Sequence, residues 1–126
     1  MGIRVTKARF AQMVQDVLSR LPQPFAGYVE EVPVEVRDWP APRQLQDLGM
    51  EPDELLMGLY VGHPRTDRSV NDSGSLPDMI LIFQEPIQQV CDTEQQLRDE
   101  IRLTVLHEIG HHFGLDEQDL DELGYG

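Results

Sequence analysis

Apolar positions recur at helical spacing from Thr6 onward, at Phe10, Val14, Val17, Leu18 and Leu21, and predict an amphipathic helix with Thr6 as its N-cap. Pro22 and Pro24 stop it. The pattern then alternates through 27-GYVEEVPVEVRDW-39, which predicts one or two short strands with Pro33 at an edge or bend. From Pro40 to Pro52 proline and polar residues predict a loop with one turn of helix. Strand character returns in 55-LLMGLYVG-62, followed by 63-HPRTDRSVNDSGSLPD-78, a polar connection whose length in a small domain points to function or mobility. The unbroken apolar run 79-MILIF-83 reads as a central strand packed on both faces, leading through Pro86 into a polar stretch.

The last long element begins near Asp92 or Thr93. Thr93 and Gln96 have capping-box spacing, and Gly114 is placed to end the helix. Leu103, Val105, Leu106, Ile109 and Phe113 spread over a broad apolar arc, so much of this helix must be buried. Glu100, Thr104, His107, Glu108 and His111 share the remaining sector. A polar stripe on a buried helix demands a reason, because uncompensated polar burial is costly.

Metal chemistry supplies that reason. In 107-HEIGH-111 two imidazoles one turn apart on one face can both reach a single zinc ion at about 2.0 to 2.1 Å. Glu108, displaced by one residue, is placed to hold a water bound to that ion and to take and return its proton as general base, the arrangement that metal-assisted amide hydrolysis needs. Beyond His111, Gly114 can adopt positive φ and turn a downstream side chain back toward the ion.

The string His-Glu-x-x-His-x-x-Gly-x-x-Glu, from His107 to Glu117, resembles the extended motif of the zincin metallopeptidases, whose third ligand is a His or Asp at the last position. The resemblance implies Glu117 as third ligand here. Glutamate is one methylene longer than aspartate, and Asp116 offers the shorter carboxylate one residue out of register. The small bacterial minimal-zincin family fits best, on 56-LMGLYVGHPRTDRSV-70, 76-LPDMILIFQEPI-87 and 98-RDEIRLTVLHEIGHHFGLDE-117. It implies an α+β fold, with a small mixed or antiparallel sheet packed against an N-terminal helix and the long C-terminal active-site helix. It also implies a zinc-dependent peptidase acting on peptide or protein substrates. A ligand glutamate on a later helix and a methionine turn below the site are not expected, since the sequence ends at Gly126 and its last methionine is Met79. By analogy with larger zincins, Met79–Phe83 or its neighbour Leu55–Val61 would be the substrate-side edge strand. With so short a tail to form the opposite wall, the expectation is a short peptide, weak binding, or a protein partner completing the cleft. The competing reading is a non-catalytic metal-binding or interaction module that keeps the helix.

Composition narrows the partners. At 126 residues, residues 1–126 are expected to form one domain. A net charge of -13 repels phosphate backbones and anionic lipid headgroups, so neither nucleic acid nor membrane is expected as a partner. Asp116, Glu117, Asp119, Asp121 and Glu122 concentrate that charge near the end, as a solvated run or as metal attraction. The single cysteine, Cys91, forms no internal disulfide and reads as a small buried hydrophobe. Arg4, Lys7, Arg9, Asp16 and Arg20 interrupt the N-terminal segment, no long apolar run follows, and a cytoplasmic protein is expected.

Other candidates have plainer readings. His112 points away from the metal face, toward Ile101 and Val105, as a structural histidine. His63 reads as solvated, Arg65 and Arg68 as ion-pairing, and Trp39 as a core cap or loop anchor. Glu100 and Thr104 either orient the two histidines or form a polar rim.

Overall fold

The computed structural model describes residues 2–62, 78–115 and 117–122, with Glu117 and Leu120 described by backbone alone. The elements run α1 Lys7–Leu18, α2 Phe25–Glu31, β1 Val34–Arg37, α3 Pro42–Asp47, β2 Gly58–Val61, β3 Met79–Phe83, α4 Gln84–Gln89, α5 Glu94–His112 and α6 Glu117–Glu122. The fold is α+β. A three-stranded mixed sheet has the order β1-β3-β2, with β1 parallel and β2 antiparallel to β3.

The caps expected from sequence are in place. Thr6 Oγ1 accepts the Arg9 amide at 3.0 Å, and Thr93 accepts the Gln96 amide at 3.1 Å. The Gln96 side chain accepts from Asp92 N rather than from the N-cap itself, at 2.6 Å, so the box closes one residue early. Proline at the first turn of α3 removes a donor that has no helical partner.

One expectation needs correction. Residues 27–31 are helical: Phe25, Tyr28, Val29 and Val32 lie on one face toward the core, and only β1 of the alternating stretch is a strand. The stretch around Pro86 is also a helix, α4, in which Pro86 falls in the first turn. Its buried Gln84 and Gln88 hold the N-terminal segment, the first donating to Val5 O at 3.1 Å and the second accepting from Val5 N at 2.9 Å. Of the two strands offered as the substrate-side edge it is β2 that lies at an edge, while β3 is paired on both sides, the central strand its apolar run predicts.

The central position of β3 explains its composition. Ile80, Leu81, Ile82 and Phe83 are all buried, and each such side chain contributes roughly 1.5–3 kcal/mol by leaving water. Ile80 and Ile82 join Leu97, Ile101, Val105, Leu106 and Ile109 of α5 and Phe10, Met13 and Val14 of α1 in one core. α5 is thus gripped by α1 on one side and by the sheet on the other. No described helix is long and apolar enough to cross a membrane.

Candidate active site

The polar stripe of α5 faces a cleft of about 470 Å³ lined by Glu100, Leu103, Thr104, His107, Glu108 and His111, and closed opposite by Leu55, Leu56, Met57 and Gly58. Every member of the polar sector singled out in the sequence therefore opens onto one space. His107 and His111 stand one turn apart, with ring centroids 6.1 Å apart and planes tilted by 33°. The Nε2 of His107 is buried with no hydrogen-bond partner. An imidazole nitrogen left bare in the interior costs free energy unless something binds it, and a divalent cation shared with His111 is what this donor pair fits.

Glu108 sits between them with its carboxyl largely out of water. Burial pushes its pKa up to about 7, opposed by a backbone hydrogen bond from Tyr60, which favours the ionised form. A carboxyl titrating there can both take and give a proton near neutral pH.

Gly58 allows this close approach. A Cβ at Gly58 would overlap the Thr104 methyl group and come within 3.6 Å of Glu108 Cγ, so only glycine lets β2 lie this near α5. Two residues along, Tyr60 is held by its side chain. Its hydroxyl donates to Asp78 Oδ2 at 2.9 Å, and its ring stacks on His112 with centroids 4.0 Å apart and planes within 11°. His112 Nε2 lies 3.9 Å from the same Asp78 oxygen. The buried, structural character expected of His112 holds, and its ring packs on Tyr60 and Phe113. Three elements are thereby fastened around Glu108: β2, the start of β3 and the last turn of α5.

α5 ends at Gly114 with φ of 83°, where the added Cβ would meet nothing; the left-handed backbone alone makes glycine the fitting residue. Leu115 N donates to Gly110 O at 2.7 Å and Gly114 N to His111 O at 3.1 Å, the paired bonds of a Schellman close. α6 follows, so part of the acidic run is helical.

The third ligand expected from sequence is not placed: Asp116 and the side chain of Glu117 lie outside the described residues, as do His63, Arg65 and Arg68. Among the described residues no three His, Cys, Asp or Glu side chains converge. Cys91 is buried, and burial pushes its thiol pKa up, in keeping with the inert reading. Trp39 departs from expectation. It is 53% exposed and, with Pro40, Pro42, Leu45 and Met50, lines a separate apolar hollow.

Sequence reasoning missed Gly58, Tyr60 and Asp78. A glycine inside a strand pattern signals close backbone approach and could have flagged the first. Nothing local marks the other two, which meet the helix only through the fold.

Against known proteins, residues 29–126 match the model of the family described as zincin-like metallopeptidase. A search of curated proteins returns no match.

Proposed function

The chain belongs to the zincin-like metallopeptidase family, and we propose that it is a zinc-dependent peptidase in which His107 and His111 hold one zinc ion, Glu117 supplies the third ligand, and Glu108 is the general base. The observation that carries this reading is the buried, unbonded Nε2 of His107, one turn from His111 and beside a carboxyl whose pKa is about 7. Bound zinc supplies a Lewis acid that polarises the scissile carbonyl and makes water acidic enough to attack near neutral pH.

The remaining work falls to the protein. Glu108, kept from solvent beneath β2, takes a proton from the attacking water and delivers it to the leaving amine. The Tyr60 amide and the Tyr60–Asp78–His112 contacts fix where that carboxylate sits, and the Schellman close ends α5 just before Glu117, which would supply the third ligand. The wall formed by Leu55 to Gly58 seats the substrate chain against α5.

Metal content and hydrolysis test this together. The purified chain is expected to retain one equivalent of zinc and to cleave peptides, and Glu108→Gln to keep the zinc and lose the cleavage. Zinc retained by a wild-type chain that cleaves no peptide would instead establish the non-catalytic metal-binding module, and failure to bind zinc at micromolar supply would defeat both readings.

A further inference from the structure

Glu100 is the one cleft-lining acid that the proposed chemistry leaves unused. It lies on the same stripe of α5 as His107 and His111, half-buried in the cleft wall, and has no hydrogen-bond or ion-pair partner among the described residues. Beside the polar stripe, the same cleft is lined by Leu103 of α5 and by Leu55, Leu56 and Met57 opposite. A carboxylate on a cleft wall with no partner from the protein is placed to meet one in a ligand.

Its distance from the proposed reaction centre has a meaning in peptide units. Seven residues of helix separate Glu100 from His107, a rise of about 10 Å. An extended peptide covers about 3.4 Å per residue, so Glu100 lies about three residues from the bond that would be cut. The cleft therefore offers an apolar wall and, for a peptide running along α5, a negative charge about three residues from the reacting bond.

Resting on the peptidase reading above, we propose that Glu100 is a specificity-determining residue, and that the substrates are extended peptides with an apolar side chain in the cleft and a cationic group, a lysine or arginine side chain or a free N-terminal ammonium, on Glu100. The rest of the protein is consistent with this. With net charge -13 its field draws cationic peptides in, while the carboxylate inside the cleft selects where their charge must fall.

The test separates binding from cleavage by using zinc-supplemented Glu108→Gln protein and fluorescence anisotropy. The probes are fluorophore-labelled Ala-Lys-Ala-Ala-Leu-Ala-Ala-Lys-Ala, acetylated and amidated, and its analogues with both lysines replaced by alanine or by glutamate. A half-exposed ion pair predicts roughly fivefold tighter binding of the lysine peptide than of the alanine peptide, and weaker binding of the glutamate peptide. Added Glu100→Gln should erase the preference and Glu100→Lys should reverse it. Glu30→Lys, an equal charge change at an exposed position on α2, should leave it in place. Serine in place of the leucine should weaken all three peptides alike. A free-amine Ala-Ala-Ala-Leu-Ala-Ala that binds as the lysine peptide does assigns the ammonium to the N-terminus, whereas no gain over its acetylated form assigns it to a side chain.

A preference that survives Glu100→Lys, one that Glu30→Lys removes equally, or no measurable binding of any probe overturns the inference. Failure of the peptidase reading looks different: the wild-type protein with zinc would show the binding preference and cleave none of the peptides.

Discussion

Replacing Glu108 by glutamine should make the zinc-free protein more stable at neutral and alkaline pH. Burial holds the carboxyl pKa at about 7, against an ordinary 4.5, so the folded chain binds this proton more tightly than the unfolded chain does. Between those two values folding takes up a proton, and stability therefore falls as pH rises. At about 1.4 kcal/mol per pH unit the full penalty above pH 7 is about 3 kcal/mol, an upper figure because the carboxyl keeps some solvent contact. Glutamine matches the carboxylate in shape and carries no charge to desolvate. Urea denaturation of chelator-treated protein should show Glu108→Gln more stable than wild type by about 2–3 kcal/mol near pH 8, with the difference shrinking below about 0.5 kcal/mol near pH 4.5. Saturating zinc should narrow the gap at high pH, because the cation favours the ionised carboxylate. A difference independent of pH, or a wild type that is the more stable near pH 8, would refute the burial argument.

Gly58→Ala forces a methyl group into Thr104, and an overpacked contact of this kind should cost about 1–3 kcal/mol in a denaturant melt and lower cleavage by displacing β2 from Glu108. Tyr60→Phe keeps the stack on His112 and loses the Asp78 bond, whereas Tyr60→Leu loses both; amide exchange at residue 60 should quicken slightly in the first and strongly in the second. Gly114→Ala, at a left-handed position with open space around it, should destabilise by about 1 kcal/mol and weaken zinc binding by misdirecting the return of the chain, as read by chelator competition. In the same assay Glu117→Ala should cost most of the zinc affinity and Asp116→Ala little, and the opposite result would move the third ligand by one residue.

How much of this was legible beforehand follows from the range of each signal. The ends of α5 were readable because Thr93 and Gly114 act within one turn of themselves, and β3 because a strand covered on both faces must be apolar throughout. α2 was misread because Phe25, Tyr28, Val29 and Val32 form a helical stripe in a stretch where Val32, Val34 and Val36 also suggest alternation. Over so few residues the two periods are hard to separate. The polar stripe from Glu100 to His111 was correctly gathered on one helix face, since helix geometry alone places it. What faces that stripe was not readable: Leu55 to Gly58 reach it only through the order of strands in the sheet, which puts β2 rather than β3 at the edge.

The Tyr60 amide has a second consequence, at the level of the whole population of molecules. Phe83 N donates to Met57 O at 2.9 Å, so by alternation Met57 and Leu59 turn their polar groups toward β3 while Gly58 and Tyr60 turn theirs outward. Outward-facing donors on an edge strand invite pairing with another chain. Here the donor of Tyr60 is already held by a carboxylate reaching across from the helix. The side chain assigned to chemistry thus also guards the rim of the sheet, and Glu108→Ala, which empties that position, should be more prone to self-association than Glu108→Gln, which still fills it.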